Sequence, residues 1–398
     1  MVLVLLLIAL AALSGCSTLR FYQQAVGGQV RLLAARQNVE KLLAQDDLDP
    51  TLRAALLDSQ TALEFARTEL ALEPKGRYGS YVDLNREFVV WNLVVAPVDS
   101  VQPLNWCFPV AGCVSYRGYF REQLALDTAA EFAAEEFDTY VGGVPAYSTL
   151  GWFNDPLLSS FIHWPRAARA ELLFHELAHT KLYVGGDTEF NESFATYVAD
   201  YALPLFLRND EGVAKQRQIR AERARFNALL LKLRARLEMD FAELANSEAG
   251  TDQPGRGRAL APQHLRAKAL AARTLRYAQA EACLLAVAQE FSDDRLVGFF
   301  SQPPNMARLS LVGAYHRWVG AFRALHGEVG SLDEFYAAAK QLAELEPEER
   351  GAELSRLHTL DQQSKLQQNV QTEADDQYPE DIQCEALTNH VIDGHLAG

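Results

Sequence analysis

Glu171-Leu172-Leu173-Phe174-His175-Glu176-Leu177-Ala178-His179-Thr180 is the stretch on which the reading of this chain turns. It contains an HExxH pattern, His175-Glu176-x-x-His179. On a helix, side chains four apart share a face, so both imidazoles can meet one metal ion. Glu176 falls about a hundred degrees round, beside that ion and not on it. From there a carboxylate can take a proton from a water held at the metal. The alternative is a helix that carries two surface or core histidines.

Two histidines make an incomplete catalytic site, which wants three protein ligands and one open position. Gly185-Gly186 ends the motif helix expected over Arg166 to Val184, and a second helix is expected over Phe190 to Leu203. Three acids follow the glycines. Asp187 lies closest to the turn, and Glu189 precedes the helix start, where a carboxylate meets free N–H groups. Glu192 lies within the helix, on a rigid element. Asn191-Glu192-x-x-Ala195 resembles the second zinc motif of gluzincin peptidases, whose Glu is the third ligand, although the two motifs stand closer here than in thermolysin-like enzymes. We therefore expect His175, His179 and Glu192 to hold one zinc ion per chain, with Glu176 as catalytic base. Asp200, two turns on, is placed to support a ligand histidine, or is a solvated helix carboxylate. A transition-state oxyanion needs a donor. Tyr147, Tyr201, His163, Tyr315 and His316 qualify by type, with Tyr147 and Tyr315 carried forward; ordinary packing is the alternative for each.

At the other end of the argument stands the N-terminus. Met1 to Leu13 is an apolar run too short to span a bilayer but the length of a signal-peptide core. Leu13-Ser14-Gly15-Cys16 resembles the lipobox of bacterial lipoproteins, in which the Cys is acylated and becomes the mature N-terminus. The departure is the missing Lys or Arg ahead of the run. Ser17 resembles the residue that follows the Cys in lipoproteins sorted to the outer membrane. Of five cysteines, Cys107 and Cys113 flank a short loop that can bring them to bonding distance in an oxidising compartment. A net charge of −15 argues against nucleic acid as a partner and equally against surface binding to anionic lipid headgroups.

Along the rest of the chain, Phe21 to Leu72 reads as helical with breaks at Gly27-Gly28 and Asp46-Asp47. Phe88 to Ala96 is the best strand, and Trp106 to Phe120 a turn-rich hairpin region. Glu122 to Tyr140 reads as a helix stopped by Gly142-Gly143. Ala146 to Gly151 reads as an edge strand able to pair with an extended peptide. Long helices are expected over Pro204 to Asn246 and Leu270 to Phe291, joined by a linker from Ser247 to Pro262. Ala307 to Leu325 and Leu332 to Leu345 complete the helical part. Residues 361–398 read as an acidic, loosely ordered tail.

Phe21-Tyr22-Gln23-Gln24-Ala25-Val26, Trp106-Cys107-Phe108-Pro109-Val110, Tyr116-Arg117-Gly118-Tyr119-Phe120 and Ala307-Arg308-Leu309, with the HExxH and Asn-Glu segments, carry a wider resemblance. The chain resembles the putative aminopeptidase family of proteobacterial lipoproteins. The resemblance implies a zinc metallopeptidase of α+β class, predominantly α-helical, with a zincin-like core and a small sheet beside the HExxH helix. The expected organisation is a leader over 1–16, a peptidase domain over 17–360 and the tail. Its substrate would be a peptide or protein, and its place the periplasmic face of the envelope, held by lipid on Cys16. The alternative function is a catalytically silent, zinc-containing lipoprotein that binds a protein partner.

Overall fold

Helices carry most of this chain because its apolar residues recur at helical spacing, and short strands fill the gaps between them. A computed structural model describes residues 19–108, 112–146, 149, 153–208, 213–246, 263–287, 291, 296 and 298–372. The leader with Cys16, the linker 247–262, Tyr147 and most of the expected strand 146–151, and the tail beyond Thr372 lie outside them. The fold is α+β and predominantly α-helical.

Helix α1 covers residues 19–34 and runs through Gly27-Gly28, where the sequence suggested a break. Gly28 serves packing: a Cβ there would fall 2.1 Å from the Phe120 ring. After β1 (Gln37–Asn38) and α2 (Val39–Leu43) comes α3 (Pro50–Glu69). Helix α3 starts with Pro50 in its first turn and the Asp49 carboxylate accepting from the Leu52 N–H at 2.8 Å, both favourable at a helix start.

The strands are β2 (Ser80–Val82), β3 (Val90–Ala96), β4 (Trp106–Phe108), β5 (Gly112–Val114), β6 (Arg117–Tyr119), β7 (Asp138–Val144) and β8 (Leu157–Leu158). They form two three-stranded sheets, β1-β2-β8 and β6-β3-β7, and the ribbon β4-β5. Strand β7 corrects the sequence reading. Helix α4 (Glu122–Ala134) stops early, the chain turns at Glu136 (φ 63°), and β7 pairs antiparallel along the whole of β3. Thr139, Tyr140 and Val141 suit a pleated surface, and the two glycines lie inside the strand. The Phe88 ring covers Gly143 so closely that a Cβ would sit 2.2 Å from it.

The helical part follows: α5 (Ser159–Ile162), α6 (Arg166–Lys181), α7 (Thr188–Phe206), α8 (Val213–Asn246), α9 (Gln263–Ala286), α10 (Met306–His316), α11 (Val319–Val329), α12 (Leu332–Glu344) and α13 (Pro347–Thr372). The single helix expected over Ala307 to Leu325 is thus two, α10 and α11. Helix α13 also takes up residues 361–372, the start of the expected loose tail, with Asp361 buried against Arg323.

The largest core cluster wraps α6 and α7. Phe194 of α7 stacks on Phe335 with ring centroids 5.9 Å apart and meets Phe322 edge-on at 5.5 Å. Phe174 of α6 meets Phe206 edge-on at 5.6 Å. Each such side chain contributes about 1.5–3 kcal/mol on burial. The start of α6 is held by Arg169, which donates to the carbonyls of Ile162 and Trp164 at 2.8 Å and to Asp58 of α3.

Asp58→Ala would leave the buried Arg169 charge with two carbonyls alone. We expect a loss of about 3 kcal/mol, because removing one partner strands the other, read as a lower urea midpoint at unchanged slope. An unchanged midpoint would mean that the carbonyls suffice.

Candidate metal centre

Helix α6 sets His175 and His179 one turn apart, with their Nε2 atoms 3.2 Å from each other. Helix α7 runs back along α6 and brings Glu192 Oε2 to 3.2 Å from His175 Nε2 and 3.5 Å from His179 Nε2. These three side chains form a group that could hold a metal ion. Their convergence is costly without a cation, because three acceptor atoms then point at one spot and few protons are there to share. Burial opposes ionisation of Glu192, but the two imidazoles outweigh it and hold the carboxyl well below the usual carboxylate range. Burial likewise disfavours a charged His179, and Glu192 reverses that, raising its pKa.

The geometry depends on the turn between the helices. Asn191 (2% exposed) closes it with its side-chain amide, which accepts from the Val184 N–H and donates to the Val184 carbonyl, both at 2.7 Å. Asp187 caps α7 by accepting from the Phe190 N–H at 3.0 Å, and Arg350 donates to its other oxygen at 2.9 Å. Gly186 adopts φ 88°, the left-handed region that favours glycine. Onto this turn sits the β4-β5 ribbon, closed by the Cys107–Cys113 disulfide. A Cβ on Gly112 would lie 3.0 Å from the Gly186 nitrogen and 3.4 Å from Gly185 Cα. The ribbon therefore braces the turn backbone to backbone.

The other acids are occupied elsewhere. Glu189 binds Arg234 at 3.0 Å and Arg317 at 2.9 Å, and Asp187 serves as the cap. Asp200 accepts from Arg220 at 2.6 Å and among the described residues has no hydrogen bond to a histidine. The Nδ1 of His179 is buried without a hydrogen-bond partner. The expected support of a ligand histidine by Asp200 is thus not found, because the Arg220 guanidinium captures that carboxylate.

Glu176 presents a different picture. Among the described residues, no hydrogen bond or ion pair reaches its carboxylate. Burial pushes its pKa up, while His175 and His179 pull the other way. Two residues that the sequence did not single out lie in its field. The Tyr78 phenol is pushed well above its ordinary value by burial, then by Glu176 and Asp155. Tyr78 holds φ 61°, and its N–H donates to the Asp155 carbonyl at 2.7 Å. Asp155 (4% exposed) ties the loop by accepting from the Thr149 N–H at 3.1 Å and its hydroxyl at 2.8 Å. Both residues come from loops remote in sequence, so no spacing announces them.

Tyr315 of α10 is brought to the centre, its ring stacked on His175 at 6.1 Å between centroids. The charge of Glu192, then burial, raises its pKa well above the ordinary value, so the phenol stays protonated and able to donate. His316 is turned to Asn227 at 3.1 Å, and burial followed by the His175 charge lowers its pKa to about 4. Tyr201 packs on His326 at 4.8 Å, and His163 is exposed at the end of α5.

Two outcomes follow for metal titration of purified protein. Glu192→Ala should weaken metal binding by more than roughly 100-fold, since a lost ligand costs more than a lost supporting partner; Glu189→Ala should leave affinity within about 3-fold and lower stability instead. Gly112→Ala should weaken binding by roughly 10-fold, through the displaced turn, with the helical circular-dichroism signal unchanged. Equal affinities for Glu192→Ala and wild type would remove Glu192 from the ligand set.

No curated protein and no solved structure matches the chain. A family model described as "Putative aminopeptidase" matches residues 20–354. That span runs from α1 into α13 and takes in the HExxH helix, the braced turn and Tyr315, and the chain belongs to this family.

Proposed function

We propose that the protein is a zinc-dependent peptidase of zincin-like architecture, with a gluzincin-type ligand set of His175, His179 and Glu192. The observation that carries the reading is the converged His-His-Glu group with the Glu176 carboxylate, half-buried and engaged by no other described side chain, beside it. The donor set fits zinc in kind and in spacing. Tetrahedral bonds of ~2.05 Å give ligand–ligand edges of about 3.3 Å, against 3.2, 3.2 and 3.5 Å here.

A bound zinc supplies Lewis acidity, which polarises a peptide carbonyl and makes a water easier to deprotonate. Glu176 takes the proton from the attacking water and delivers it to the leaving amine. Its raised pKa makes it a stronger base than an ordinary glutamate. Tyr315 donates its phenolic hydrogen to the oxygen that gains charge. The ring stacked on His175 keeps that hydroxyl beside the ligands without a partner of its own among the described residues.

The leader resemblance and the Cys107–Cys113 disulfide support an exported protein, acylated at Cys16 and facing the periplasm. Its substrates are peptides or envelope proteins, cleaved by the domain over residues 17–360.

Glu176→Gln should retain bound zinc and fold while turnover of a peptide library falls on the order of 10²–10⁴-fold. Tyr315→Phe should lower kcat by about 10²–10³-fold at similar KM, since the donor acts on the transition state. Full activity in Glu176→Gln would sink the mechanism. Zinc bound with no turnover in wild type would favour the silent-lipoprotein alternative.

A further inference from the structure

The acidity of this chain is unevenly spread. The formal net charge is −15, yet no Asp or Glu occurs before Glu40. Helix α1 lies in that stretch. One of its faces is buried, through Phe21, Gln24, Gly28 and Leu32 at helical spacing, with Gln24 Oε1 accepting from the Phe120 N–H at 2.8 Å. The opposite face carries Leu19, Tyr22, Val26 and Val30, exposed at 69%, 40%, 61% and 58%. At a helical hundred degrees per residue these four fall within an arc of about 80°. Arg20 and Arg31 lie together on one flank of the helix, about 80° and 100° beyond the Val30 edge of the arc, Arg36 follows the helix end, and all three are exposed. Single exposed apolar residues are ordinary, but an aligned stripe on one helix points to something that covers it.

Two observations name the cover. Cys16 precedes Leu19 by three residues, which span at most about 10 Å, so a lipid on Cys16 leaves α1 no route away from the bilayer surface. The charge also fits: arginines on one flank of the helix, in a stretch with no acid before Glu40, favour a helix lying on anionic lipid. No helix among the described residues is long and apolar enough to cross a membrane, so the contact is with the surface.

We propose that α1 is a second membrane contact, lying in the bilayer interface with Leu19, Tyr22, Val26 and Val30 at the headgroup–acyl boundary and Arg20 and Arg31 on anionic phosphates. This rests on the acylated-Cys16 reading above. The lipid alone would tether the enzyme and leave it free to tumble. The helix fixes its orientation, because the inner face of α1 is bolted to Phe120 and so to the β6-β3-β7 sheet.

The test uses the full acylated chain reconstituted in vesicles of phosphatidylethanolamine and phosphatidylglycerol, with and without brominated acyl chains. Val26→Trp places a reporter in the stripe; Leu126→Trp, at an exposed position on α4 (44%), is the control, and wild-type emission is subtracted from both. Co-flotation with vesicles reports the anchor. The expected result is flotation, with the Val26→Trp emission shifted to shorter wavelength and quenched by about half in brominated vesicles, and the control unaffected. Omitting phosphatidylglycerol should reduce the quenching. Flotation without quenching at position 26 overturns the stripe and leaves the anchor standing. Failure to float overturns both. A blue shift that depends on protein density and not on bromine would mean that a second copy covers the stripe, which also overturns the proposal.

Discussion

A carboxylate and two imidazoles must meet within 3.5 Å, and the rest of this structure is arranged around making that meeting possible. The mutual attraction of the three groups is opposed by the burial of Glu192 and His179, so it does not assemble them unaided. Rigid neighbours must hold them. Helix α6 fixes the spacing of the histidines by its own periodicity, and α7 must then return at one distance and one rotation. That demand falls on the few residues from Tyr183 to Asp187. Asn191 satisfies both polar groups of Val184, and the Asp187 cap is itself pinned by Arg350 from α13. The ribbon closed by Cys107–Cys113 braces the glycines from outside. Three separate parts of the chain thus converge on one turn, which is why it can be short.

The same economy governs charge. Within a few residues α7 carries Asp187, Glu189 and Glu192, all close to its positive N-terminal end, where the helix dipole favours anions. Two of the three are neutralised by arginines from α8, the residues after α10, and α13. Glu192 alone is left without an arginine, so its negative charge is available to a cation. The aromatic hydroxyls near it are kept in their protonated form by that charge and by burial. These ion pairs hold Glu189 to Arg234 and Arg317 and leave Glu192 as the carboxylate of this end that meets the histidines.

How much of this was legible in the sequence depended on whether the cause was local. The HExxH pattern lies within one helix, so the shared face of His175 and His179 followed from helical geometry alone, and Glu192 followed from its place inside the next helix. The predominance of helices was equally readable from apolar spacing. Misreadings arose where a distant partner decided. Asp138 to Val144 is a strand because β3 offers a full-length edge, and Gly142-Gly143 admits the Phe88 and Tyr140 rings instead of ending a helix. Gly27-Gly28 failed as a break for the same reason, with Phe120 as the distant partner. Asp200 was on the expected face, but Arg220 comes from a helix whose docking no pattern on α7 encodes. Tyr78 and Asp155 reach Glu176 only through the tertiary fold. Asn191 stood in plain view in the Asn-Glu motif, yet its role in closing the turn is a matter of backbone geometry.

The partners of each acid also bear on the choice between a working site and a silent one. Glu176 is half-buried and receives no hydrogen bond from another described side chain, so its charge does nothing to hold the fold together. The structure satisfies its other acids near the centre with care: Asp187, Glu189, Asp155 and Asp200 each have partners in place. Glu176 stands apart from them, with no such partner among the described residues. On the proposed reading, that free carboxylate beside the ligands is what taking up a proton and giving it back within one cycle requires. The phenol of Tyr315, stacked on His175 and without a hydrogen-bond partner among the described residues, would on the same reading supply a donor to the oxygen that gains charge.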